Sequence, residues 1–204
     1  NFDDRELICD EIEKMKAFGV QSIIEVSCND MGRDVKTLRW YSNTCGIHIV
    51  ASTGYYLEEY HSDFVRNSSP EELSEVFCKE ITVGIDGTDI KAGIIGEVAS
   101  GEPVMTESER KVLIAAALAG KRTKTAVTTH CQLGRLGLEQ CELFHKYGMD
   151  PAKVILGHVD LANDKAYYEE GFDIVSARER FLGKREMCER YVIRFLEDPN
   201  YEEM

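Results

Sequence analysis

Three side chains in this sequence have the type and placement of metal ligands. Glu97 follows the apolar run KAGIIG, His130 closes TAVTTH, and His158 lies within VILGHV. Each run is short and apolar and precedes a helical pattern, so each reads as a strand with a ligating side chain at its C-terminal end. One carboxylate and two imidazoles suit zinc and similar divalent ions. A cation also accounts for Glu97, because a carboxylate left unpaired at the end of an apolar strand costs several kcal/mol. Singly, none of the three is informative: a strand-end His is commonly a hydrogen-bonded polar residue, and a buried Glu commonly pairs with Arg or Lys. On three successive strands they define a site.

Other chemistry-bearing residues read as structural. Lys91 starts its strand, at the end opposite Glu97, which excludes Schiff-base chemistry at a common mouth. His48 also starts a strand. His61 lies in a Tyr- and Ser-rich loop and is expected at the surface, and His145 is expected to be solvated on a helix. Asp34, after Gly32-Arg33, is a helix N-cap. Cys131 adjoins His130 but points the other way and has no partner for nucleophilic chemistry. No GxGxxG or P-loop occurs, so nucleotide binding has no support.

The elements that must position these residues alternate. Helical spacing covers Asp4 to Phe18, and the strand VQSIIEV follows. A helix from Val35 to Asn43, stopped by Gly46, precedes IHIVAST. Ser69-Pro70-Glu71-Glu72 opens the next helix with a cap, a Pro and first-turn acids. KAGIIGEV is a strand, Thr106 caps the helix running to Gly120, and TAVTTH is the next strand. Leu136 to Tyr147 is helical, Lys153 to Val159 is a strand, and a short helix at 165–170 leads to the strand GFDIV. This is β/α alternation with a parallel sheet, whose chemistry sits at the C-terminal strand ends. Periodicity leaves a doubly wound sheet and a (β/α)8 barrel both open.

Composition bounds the rest. The chain has 204 residues, 43% hydrophobic and 30% charged, enough for one globular domain with a sizeable core. A formal charge of −13 disfavours nucleic acid or an anionic membrane as partner. No apolar run reaches the roughly 20 residues needed to span a bilayer. No signal peptide is visible, although the sequence does not start with Met. Seven irregularly spaced Cys without a CxxC pair read as core thiols, and a reducing cytoplasm is the expected location.

GRD at 32–34, IVASTGYY at 49–56, KAGIIGE at 91–97, ESERKVL at 107–113, VTTH at 127–130 and ILGHVD at 155–160 together resemble the phosphotriesterase-related family of the amidohydrolase superfamily. The likeness runs in order from Glu6 to Asp173. It implies a (β/α)8 TIM-type barrel with two metal ions, usually zinc, at its C-terminal mouth. Glu97 matches the acidic bridge on the fourth strand, and His130 and His158 match the ligands on strands five and six. The six visible strands are then strands 2–7 of one domain over 1–204, which lacks the first-strand and eighth-strand segments. The family's first-strand His-x-His pair and eighth-strand Asp, its proton acceptor, have no match, so no general base is assigned.

The activity implied is hydrolysis of an ester bond by a metal-activated water. A lactone or carboxyl ester is the first expectation and a phosphoester the second. Tyr55 and Arg178 are the expected substrate contacts. With three protein ligands the chain alone holds one ion or none, and the intact protein two. A homodimer stays open. The alternative is a barrel that has lost the chemistry and serves as a binding or regulatory protein.

Overall fold

A computed structural model describes residues 4–159. Local chemistry sets the helix boundaries. Asp4 accepts a hydrogen bond from the Leu7 N–H and starts α1 (Arg5–Ala17). Asp34 accepts from the Lys36 and Thr37 N–H groups and starts α2 (Val35–Cys45), as its sequence position predicts, and Gly46 ends it. Ser69 and Glu72 form a reciprocal capping box with Pro70 at the first helical position of α4 (Pro70–Thr82), which the short helix α3 (Asp63–Asn67) precedes. Thr106 and Glu109 repeat the capping box on α5 (Glu107–Thr123). The last described helix is α6 (Gly137–Lys146).

Five strands, β1 (Ser22–Glu25), β2 (His48–Thr53), β3 (Ile94–Ser100), β4 (Val127–Cys131) and β5 (Val154–Gly157), form one parallel sheet. Their spatial order is their chain order. A doubly wound sheet reverses its strand order at a switch point, whereas a barrel adds each strand beside the last. The order therefore decides between the two architectures that periodicity left open: these strands are an arc of a β/α barrel. The sixth expected strand, GFDIV, and the helix expected at 165–170 lie outside the described residues.

The main core lies between the sheet and α4, α5 and α6. Leu73 and Phe77 of α4 and Val112 and Leu113 of α5 meet Ile95, Val98 and Val127 of the sheet. A small separate cluster joins α1 and α2 through Ile12, Tyr41, Cys45 and Ile47, with Ile23 of β1 and Ile49 of β2 packed against it. Among the described residues, no helix is long and apolar enough to cross a membrane.

One irregularity matters for the site. Ile95 pairs with Val127, and Val98 pairs with Thr129, so β3 spends one residue more than β4 over the same span. This is a β-bulge at Gly96-Glu97, and a bulge re-aims the side chain it carries. Gly96 has φ +117°, and a β-carbon there would collide with the Thr128 carbonyl oxygen. Only glycine permits this approach. The strand continues to Ser100, so Glu97 sits at a kink inside the strand and not at its end.

Candidate metal centre

The bulge turns the Glu97 carboxylate towards β4 and β5. His130 Nδ1 stands 3.1 Å from Glu97 Oε2, and His158 Nε2 stands 3.7 Å from Glu97 Oε1. One carboxylate oxygen thus faces each imidazole. The two rings meet edge to face with centroids 4.5 Å apart. His158 follows β5 directly with φ +62°, and its neighbour Gly157 packs so close to Thr129 that a β-carbon would collide with the Thr129 carbonyl. The absence of that β-carbon brings β5 near enough for His158 to reach the carboxylate. His130 is the most enclosed of the three, with its side chain 11% exposed against 21% for Glu97 and 41% for His158. The cluster is therefore most open on the His158 side.

His130 is fixed from several directions. Its Nε2 lies 2.7 Å from Gln132 Oε1, which accepts the Nε2–H and leaves Nδ1 facing Glu97. Gln140, fully buried on α6, donates to the His130 carbonyl (3.0 Å) and to Ser100 Oγ (2.7 Å) and so ties β4 to the end of β3. Burial pulls the His130 imidazole down, but hydrogen bonds to Glu97 and Gln132 outweigh it and the net displacement is upward.

Tyr56 brings its phenol oxygen 3.1 Å from His130 Nδ1. Burial, then the Glu97 charge, push this phenol up to about 12, so it is a neutral O–H at physiological pH. The backbone of Tyr56 is clamped on both sides. Its N–H donates to both Asp30 carboxylate oxygens (3.1 and 3.0 Å). Its carbonyl accepts from His61 Nε2 (3.0 Å), and His61 Nδ1 accepts from the Ser108 hydroxyl (2.7 Å). His61 is buried at 5% exposure, which corrects the expectation of a surface residue. Its burial holds it below the usual histidine range, and a neutral ring is what the two-sided bonding requires.

Asp30 has a pH consequence. Burial raises its carboxyl to about 6, against the partly compensating Tyr56 N–H. The folded state therefore resists ionising a group that the unfolded chain ionises near pH 4. The sign follows: this group lowers folding stability as pH rises from about 4 to about 6, and its effect is constant above that. Asp30→Asn keeps an oxygen acceptor for Tyr56 and removes the titration. Its stability relative to wild type, read from urea unfolding at a series of pH values, is expected to climb between about pH 4 and pH 6 and then level off. A difference that stays flat over this range would assign Asp30 an ordinary carboxyl.

The sequence-predicted residues fall out as follows. Glu97, His130 and His158 converge, with ligand atoms all within 4.8 Å of one another. Tyr55 does not join them. It is buried at 8% exposure, its ring 5.6 Å from that of Phe77, and the adjacent Tyr56 takes the place facing the site. Both tyrosines lie in irregular backbone after β2, where no strand period distinguishes them. Arg178 lies outside the described residues. His48, Lys91 and His145 stay exposed and away from the site, as expected.

The donor set fits a divalent ion. Ligand atoms about 2.1 Å from a zinc-sized ion stand about 3.4 Å apart at tetrahedral angles. One ligand atom from each of Glu97, His130 and His158 lies within 4.8 Å of the others, a spread that small side-chain movements close around one such ion. The outer partner of His130, Gln132, completes the arrangement usual for a ligating imidazole.

A β/α barrel arc that brings a carboxylate from a bulged strand together with two imidazoles from the next two strands defines the metal-dependent barrel class. Within that class the chain belongs to the Phosphotriesterase family, whose model matches residues 3–178. It is 38% identical over 162 residues to the phosphotriesterase homology protein of Escherichia coli (strain K12), covering 79% of this chain and 56% of that one. It is 36% identical over 158 residues to the N-acetyltaurine hydrolase of Bos taurus (77% and 45% covered). Against the aryldialkylphosphatase of Saccharolobus solfataricus it is 34% identical over 174 residues (85% and 54%). The crystal structure of the Escherichia coli protein, complexed with phosphate in its active site, superposes with a TM-score of 0.76 at 36% identity over 83% of this chain and 58% of that one. The chain spans about half the length of the curated relatives it matches.

Proposed function

We propose that the protein carrying this chain is a metal-dependent hydrolase of ester bonds, with lactones and carboxyl esters as first substrates and phosphoesters as second. The observation that carries the reading is the convergence of Glu97, His130 and His158, from three successive strands, to within 4.8 Å of one another. Glu97, His130 and His158 would hold the metal, zinc being the ion expected for a carboxylate and two imidazoles, with Glu97 as the ligand shared between two such ions. When bound, such ions acidify water to a pKa near 7 and polarise a carbonyl or phosphoryl oxygen.

The chain's own residues do the rest. His130, locked by Gln132 and Gln140, presents one nitrogen in one orientation. Tyr56, a neutral phenol beside His130, donates a hydrogen bond to a substrate oxygen entering over the His158 side. The net negative chain (−13) favours neutral substrates over polyanions.

The test is metal analysis of the full-length protein beside a hydrolysis panel. The panel holds γ-lactones, aryl carboxyl esters, dialkyl aryl phosphates and, because one relative is an N-acetyltaurine hydrolase, N-acyl taurines. Zinc is expected to copurify, with turnover highest on lactones or carboxyl esters, lost on chelation and restored by zinc. Turnover confined to N-acyl taurines would keep the hydrolase and overturn the ester bond. A metal-free protein inactive on the whole panel would leave the binding-protein alternative standing.

A further inference from the structure

The small cluster that joins α1 to α2 contains two thiols in contact. Cys9 on α1 and Cys45 in the last turn of α2 are 36 residues apart in sequence, and their sulfurs are 3.1 Å apart. Neither is disulfide-bonded. The sulfurs lie inside the ordinary contact distance for two thiols, about 1 Å beyond an S–S bond of about 2.05 Å. The surroundings separate their roles. Cys45 is buried at 5% exposure beneath Ile12, Tyr41 and Ile47, while Cys9 is half-buried at the cluster's margin. This site lies on the outer helical layer and is independent of the metal centre.

We infer that Cys9 and Cys45 form a reversible disulfide, a covalent modification site that staples α1 onto α2. The co-reactant is a small disulfide such as oxidised glutathione. The Cys9 thiolate attacks one glutathione sulfur, breaks the S–S bond and releases one glutathione thiolate, which takes up a proton. The Cys45 thiol then loses its proton and attacks the Cys9 sulfur. The Cys9–Cys45 bond forms as the second glutathione leaves. Two protein thiols are oxidised and one glutathione disulfide is reduced to two thiols. Cys9 acts first because it is the accessible sulfur. Burial, with Cys9 alongside, raises the Cys45 thiol to about 11, which suits it to the intramolecular second step, where proximity compensates for a small thiolate fraction.

The staple has a structural effect because α1 is weakly held. Among the described residues Ile12 is its one buried side chain, and the helix is held by the small cluster, by Arg5 over the Trp40 ring (4.6 Å) and by Lys16 donating to the Cys45 carbonyl (2.5 Å). A cross-link closing a 36-residue loop removes freedom from the unfolded chain.

Trypsin reads the site directly, since it places Cys9 in ELICDEIEK and Cys45 in the peptide beginning WYSNTCGIHIV. The folded chain is treated with oxidised glutathione, blocked with iodoacetamide and digested without reductant. The expected product is the two peptides linked, with a mass two hydrogens below their sum, reverting to separate alkylated peptides after dithiothreitol. The oxidised chain is expected to melt several degrees above the reduced chain, and Cys9→Ser, at the half-buried position, is expected to abolish that shift while leaving the reduced melting point near wild type. Cys45→Ala gives the same loss of shift from the buried side. Recovery of Cys9 only as its glutathione adduct, of both peptides alkylated, or of Cys9 linked to another cysteine would each overturn the proposal.

Discussion

Glu97→Ala is expected to empty the metal centre and reduce hydrolysis by the full-length protein to background, with the fold intact. The physical reason is charge. Glu97 is the one anionic ligand among the three converging residues, and each of its oxygens faces a different imidazole. Loss of an outer partner of a ligand costs about 10–100-fold in metal affinity, and loss of the carboxylate itself must exceed that. The fold should survive because the bulge is held by the backbone. The Glu97 N–H donates to the Val26 carbonyl (3.1 Å), and Gly96 supplies the unusual φ. Glu97→Gln separates charge from shape: it keeps a hydrogen-bonding group beside His130 and is expected to lose nearly as much metal. Metal content by mass spectrometry, turnover and circular dichroism are measured on the same samples. Metal at wild-type stoichiometry in Glu97→Ala would sink the ligand role, whatever happened to activity.

The convergence of Glu97, His130 and His158 was legible because barrel chemistry ties function to strand ends, and strand ends follow from short apolar runs with helices between them. Helix starts were equally legible: Asp34, Ser69 and Thr106 each announce a cap, and each makes the expected side-chain bond. Contacts between distant segments were not. Nothing local to His61 announces that Ser108, 47 residues on, will enclose it. The choice of Tyr55 over Tyr56 failed for a related reason: both follow β2 in irregular backbone, where tertiary contacts, and no strand period, decide which side chain faces the site. Glu97 appeared to end its strand because the bulge at Gly96 is set by the pairing with β4, which the sequence does not display. Strand order, which identified the barrel, is likewise a property of the assembled sheet.

The buried pair Arg33–Glu80 was invisible in the same way, and the second large effect is expected there. The Arg33 and Glu80 side chains are 2% and 8% exposed. Arg33 grips Glu80 through both terminal nitrogens (2.8 and 3.0 Å) and also donates to the Ser52 carbonyl (2.9 Å) and Asn29 Oδ1 (2.7 Å). Burial works against the guanidinium charge, but Glu80 and Asp86 more than compensate, and Arg33 is held above its ordinary value. Arg33→Met preserves the stem and leaves a buried carboxylate with Asn29 as its remaining side-chain partner. Removing one member of a buried pair costs about 3–5 kcal/mol. For a chain of this size that lowers Tm by roughly 6–20 °C. The double variant Arg33→Met, Glu80→Gln removes the stranded charge and is expected to recover part of the loss, a coupling that a mere packing defect at Arg33 would not produce. A single variant within about 1 kcal/mol of wild type in urea unfolding would show that Glu80 is not stranded by the loss. The damage should also reach the site along a defined route. Asn29, freed from Arg33, is the residue that accepts the Gly54 N–H (3.2 Å) and donates its own N–H to the Gly54 carbonyl (3.0 Å). Gly54 precedes Tyr56 by two residues, so a variant studied well below its Tm should lose catalytic efficiency through Tyr56 while metal content stays at the wild-type level.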